Sequence, residues 1–124
     1  MPPIWNLLLK LAQAEVSGTL ARLPAPLRAQ ATTLPVCYEV HPNTQLLRDG
    51  VEPDTLGLFV GPDFAEAEPT GAPPPQIILF LENIWDAVEG EEAAYREEVQ
   101  TTFLHELGHF LGLDEIDLED RGLD

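Results

Sequence analysis

Residues 91 to 111 read as one long helix, and that helix carries two histidines four positions apart. Gly90 is the expected cap. Glu91 and Glu92 follow where the helix dipole favours negative charge. Gly112 closes the run, in the left-handed position that helices commonly use to stop. A helix this long in a chain of 124 residues is expected to run under a sheet as its main support. At about 100° per residue, Val99, Phe103, Leu104, Leu107, Phe110 and Leu111 fall in one arc, the expected core stripe. Tyr95, Glu98, Thr101, Thr102, His105, Glu106 and His109 fall in the opposite arc. His105 and His109 are only about 40° apart around the axis and one turn apart along it, so both imidazoles reach one point above the helix.

The rest of the chain supplies the layer for this helix to support. Residues 4 to 23 read as a helix, with Ile4, Leu7, Leu8, Leu11, Ala14 and Leu20 at helical spacing, ended by Pro24 and Pro26. A short helical turn follows around Leu27 to Ala31. Val36, Tyr38 and Val40 alternate with Cys37 and Glu39 as in a half-buried strand. Residues 44 to 48 read as a helical turn. Residues 55 to 60 (TLGLFV) read as a second strand, and 62 to 75 are too rich in proline to join a ladder. Residues 76 to 81 (QIILFL) form a continuous apolar run, expected to be a strand buried on both faces. The expected architecture is α+β in a single domain, residues 1–124, with a sheet of about three strands.

Charge narrows the partners. With 22 acidic and 6 basic side chains the chain carries −16, which repels phosphate backbones and anionic membrane surfaces. Nucleic acid and membrane are therefore not expected partners, and most of the acidic excess reads as solubility. One cysteine, Cys37, excludes an intrachain disulfide, and its strand flanks make a buried, inert thiol the expectation. The apolar N-terminal run is too short and too interrupted to span a bilayer, so a soluble cytoplasmic protein is expected.

The chemistry of the histidine pair calls for a metal. Zinc takes imidazole nitrogens at about 2.0–2.1 Å, and its catalytic sites use three protein ligands plus an open position for water. Zn2+ lowers the pKa of that water toward about 7, and Glu106, turned to one side of the pair, is placed to take its proton as general base. The third ligand is expected beyond Gly112. Asp114 can cap a final short helix over 115 to 121, which leaves Glu115 to face the metal. Glu115 is accordingly preferred, with Asp114 the alternative and His41, beside a proline at a strand end, a distant third.

The segment HELGHFLGLDE, residues 105 to 115, resembles the zincin metallopeptidases, and its spacing is like the metzincin arrangement. The closer likeness is to small single-domain bacterial proteins known as minimal or zincin-like metallopeptidases. It extends to the leading helix, to LGLFVG at 56 to 61 and to QIILF at 76 to 80. The resemblance implies a small α+β zincin-like domain. It would hold a mixed sheet of about three strands, a long C-terminal HExxH helix and a short terminal helix. It implies His105 and His109 as zinc ligands, Glu106 as base, and the third-ligand position, often aspartate in the family, on Glu115. The methionine turn of larger metzincins has no counterpart here, since the only methionine is Met1.

The expected function is a zinc-dependent metallopeptidase acting on a peptide or protein substrate. The substrate is expected to lie along residues 55 to 61 by strand addition, with Gly57 and Gly61 leaving room for a second backbone or else marking a bulge or turn. Two rivals stand beside it: a metal hydrolase acting on something other than protein, and a non-catalytic metal-binding or interaction protein with a degenerate peptidase fold.

Overall fold

The computed structural model describes residues 3–61 and 74–111. Within them lie α1 (Pro3–Arg22), α2 (Ala25–Ala31), β1 (Val36–Glu39), α3 (Thr44–Arg48), β2 (Gly57–Val60), β3 (Gln76–Phe80), α4 (Leu81–Ala87) and α5 (Glu92–Phe110). The fold is α+β with a mixed three-stranded sheet in the order β1-β3-β2. The central strand, β3, pairs parallel with β1 and antiparallel with β2. The expected terminal helix over 115 to 121 and the stop at Gly112 lie outside the described residues.

The apolar run QIILF takes the centre of the sheet because every backbone group there needs a ladder partner and most side chains need cover. Ile77, Leu79 and Phe80 are fully buried, whereas Ile78 is half-buried, so one face of β3 is covered more completely than the other. Leu81 does not extend the strand as expected. It opens α4 directly after Phe80, and with Ile84 it turns a helical face into the core.

Glu89 and Gly90 both adopt positive φ, at 55° and 74°, and reverse the chain from α4 into α5. The cap of α5 is Glu91 rather than Gly90: its carboxylate accepts from the backbone N–H groups of Ala93 (3.2 Å) and Ala94 (2.8 Å). A side-chain acceptor at this position satisfies two of the helix's orphan donors, which a glycine cannot do.

The helices α1 and α4 and the sheet cover different sectors of α5. Val99, Phe103, Leu107 and Phe110 are buried as the helical arc predicted, and Phe59 of β2 meets Phe110 with ring centroids 5.8 Å apart. Thr102, expected on the arc opposite the core stripe, is buried, and Tyr95 of the same arc is fully buried as well. There α1 packs across the first half of α5: the Tyr95 hydroxyl donates to the Leu8 carbonyl at 2.9 Å, and its ring meets Trp85 of α4 edge-on at 5.5 Å. A single apolar stripe cannot describe a helix that faces a helix over one half and a sheet over the other.

The same contact sets which face of α1 is inside. Trp5, Leu8, Ala12 and Val16 are buried, along with Glu15 and Thr19, while Leu7 is 42% exposed and Ala14 is exposed. The buried face is therefore rotated from the one expected from Ile4, Leu7, Leu8, Leu11, Ala14 and Leu20. Apolar residues surround much of α1, so periodicity alone does not fix its rotation. Polar pairing resolves it: Arg96 Nε donates to Glu15 Oε1 at 2.6 Å and Gln100 Nε2 to Glu15 Oε2 at 2.7 Å.

Candidate metal centre

His105, Glu106 and His109 stand together near the C-terminal end of α5, with one potential ligand atom from each within 4.8 Å of the others. The Nε2 atoms of His105 and His109 are 3.3 Å apart, and the two rings are nearly perpendicular at 89°. His105 is half-buried and His109 exposed, so the pair opens to solvent on one side. Two nitrogens bound to one tetrahedral zinc at about 2.0–2.1 Å lie about 3.3–3.4 Å from each other. The observed separation fits that edge. It is also a distance at which one ring can donate a hydrogen bond to the other, so the spacing gains its force from Glu106 and from the strand beside it.

That strand is β2. The bond from Phe80 N–H to the Leu56 carbonyl fixes the ladder phase, so Leu58 and Val60 face β3 while Gly57 and Phe59 turn their backbone N–H and C=O groups to the free edge. At that edge Phe59 N–H donates to Glu106 Oε1 at 2.9 Å. One carboxylate oxygen is held by a backbone donor 47 residues away. Among the described residues the other oxygen has no such partner.

Gly57 lets the strand come this close. A Cβ there would lie 2.6 Å from Thr102 Cγ2, 3.3 Å from Leu79 Cδ2 and 3.5 Å from Glu106 Cγ. The space that glycine was expected to leave for a second backbone is filled by α5. Gly61, at φ 106°, serves the turn that ends β2. A glycine inside a strand is the sequence signal of such a close approach, although it does not say which element approaches.

His41 stands apart from the cluster, its Nδ1 3.5 Å from the Pro42 carbonyl, in a separate cavity with Asn43, Thr44, Leu47 and Asn83. Glu115 and Asp114 lie outside the described residues. Cys37 is half-buried rather than buried, and its thiol donates to Gln76 Oε1 at 3.0 Å. Among the described residues, no helix is long and apolar enough to cross a membrane.

An α+β domain whose last described helix sets a His-Glu-His group against a sheet edge has the architecture of the zincins. The family model for zincin-like metallopeptidases matches residues 31–123, and the chain belongs to that family. Among curated proteins, none matches it.

Proposed function

We propose that the protein is a zinc-dependent peptidase in which His105 and His109 hold the metal and Glu106 is the general base. The observation that carries this reading is the 3.3 Å separation of the two Nε2 atoms beside an anchored Glu106. The donor set of two imidazoles fits zinc, and a carboxylate from beyond the helix would complete three protein ligands, with Glu115 preferred and Asp114 the alternative. When bound, zinc supplies positive charge that lowers the pKa of water to about 7 and polarises a carbonyl. Glu106 accepts the proton of the attacking water on the oxygen that Phe59 leaves open and passes it to the departing amine. Phe59 N–H keeps the carboxylate from swinging away. The remaining outward groups of Gly57 and Phe59 can pair with an extended peptide, which suits a peptide or protein substrate. A cytoplasmic setting goes with this reading, supported by the single cysteine.

The test is metal content and peptide hydrolysis by the purified protein before and after chelation, with Glu106→Gln alongside. Stoichiometric zinc, chelator-sensitive cleavage and a variant that binds metal without cleaving are expected. A protein that takes up zinc but cleaves nothing, with wild type and variant alike, would instead be a metal-binding module.

A further inference from the structure

His105 and Glu106 line a cavity of about 320 Å³ that continues back along α5, and His109 is not among its lining residues. Leu56 and Gly57 line it from the strand side, and Thr101 and Thr102 line it from α5. Glu98 lines it two turns back along the helix from the histidine end. Glu106 lies eight positions after Glu98, about 12 Å along the helix axis. The carboxylate does not sit that far away, because Thr102 Oγ1 donates to Glu98 Oε2 at 3.2 Å and draws it one turn toward the histidines. Among the described residues this is the one hydrogen bond Glu98 makes, and its second oxygen makes none there.

We infer that this cavity receives a basic side chain of the substrate, with Glu98 as the group that selects lysine or arginine next to the bond being cut. The chemistry of the lining decides this. Leu56 and the threonine methyls give apolar walls for a methylene stem, and the far end is an acceptor with one oxygen unclaimed. No Lys or Arg is among the residues that line the cavity. A purely apolar side chain would cover Glu98 without replacing the water it displaces, and an acidic one would meet a like charge. A cationic head forms a charge-assisted hydrogen bond there. The chain's charge of −16 acts in the same direction by raising the local concentration of basic peptides. The inference rests on the peptidase reading only for the word substrate; the cavity and its carboxylate exist independently of catalysis.

The experiment uses three peptides of otherwise fixed alanine and glycine sequence, carrying lysine, norleucine or glutamate at the central position. Norleucine has the length of lysine without its charge. Binding is measured by calorimetry on the zinc-loaded Glu106→Gln protein, which separates recognition from cleavage. The lysine peptide is expected to bind about tenfold tighter than the norleucine peptide, with the glutamate peptide weakest. Adding Glu98→Gln, which keeps an acceptor for Thr102, should bring lysine and norleucine together, and Glu98→Lys should turn the preference toward glutamate. Equal binding of lysine and norleucine, a lysine preference that survives Glu98→Gln, or no binding of any peptide overturns the inference. Cleavage by the wild-type zinc protein is read separately. Lysine-selective binding without any cleavage leaves the cavity's role standing and removes the peptidase reading. Cleavage at equal rates for all three peptides does the reverse.

Discussion

Phe59 and Glu106 are joined by a backbone-to-carboxylate hydrogen bond of 2.9 Å that ties the edge of the sheet to the helix carrying His105 and His109. An edge strand normally leaves its outward N–H groups to solvent. Here one of them holds the Glu106 carboxylate, so the same bond pins both the strand and the direction of the side chain.

This double role separates two substitutions at one position. Glu106→Gln keeps an oxygen that can accept from Phe59, so thermal stability and the Phe59 amide's protection from hydrogen exchange should stay near wild type. Hydrolysis should fall by about 10²- to 10⁴-fold, the usual contribution of a general base. Glu106→Ala should lose hydrolysis and also expose the Phe59 amide. Equal Phe59 protection in both variants would show that the bond does not anchor the strand.

Gly57→Ala should destabilise the protein by about 1–3 kcal/mol, the usual cost of forcing atoms into a packed contact. The added Cβ would fall 2.6 Å from Thr102 Cγ2, on a buried β-branched side chain with little freedom to move. Thr102→Ser removes that methyl while keeping the hydroxyl that bonds Glu98. The double variant should therefore be more stable than the sum of the two single changes predicts, a coupling that denaturant titration of the four proteins reads directly. Strict additivity would place the strain elsewhere.

The parts of this molecule that could be read from its sequence are those whose signal is local. His105 and His109 lie one turn apart on one helix, so spacing alone predicted that their rings share a point, and the structure sets their Nε2 atoms 3.3 Å apart with Glu106 beside them. The three strands showed as alternation or as an apolar run. The segment LENIWDA was missed as a helix because it is short and begins on the last residue of an apolar stretch that reads as strand. The rotation of α1 was misjudged because its inner face includes Glu15, and a buried carboxylate becomes reasonable only when Arg96 and Gln100, more than 80 residues later, are known to meet it. Phe59 could not be found for the same reason. Its contribution is a backbone N–H, which no residue type announces.

The Glu15 network makes stability depend on pH in a defined direction. Its carboxyl is held below the ordinary glutamate range, chiefly by the hydrogen bond from Arg96, with burial opposing and the Gln100 bond and nearby arginine charge assisting. A group whose folded pKa is depressed stabilises the protein above its unfolded pKa of about 4.3, and that contribution fades as pH falls through the lower folded value. Glu15→Gln should therefore cost most near neutrality, about 1 kcal/mol once the half-exposed Arg96 side chain is allowed for. The gap between wild type and variant should close as pH falls below about 4. Urea midpoints measured from pH 3 to 7 check this, and a gap that widens toward acid would contradict the assignment.

Zinc should raise the melting temperature, because a ligand that binds only the folded state stabilises it in proportion to the logarithm of its concentration over Kd. At about a hundredfold excess over Kd the gain is about 2.7 kcal/mol. His105→Ala and His109→Ala each remove one arm of the 3.3 Å pair and should abolish the shift. The carboxylate arm is read from a second pair of variants. If Asp114 takes the capping role expected from the sequence, Glu115→Ala should weaken zinc binding far more than Asp114→Ala, because a capping aspartate spends its oxygens on backbone N–H groups. Competition with a chromophoric chelator gives both affinities. The reverse ranking would move the third ligand to Asp114, and unchanged affinity in both variants would leave the two histidines without the carboxylate that this site is proposed to use.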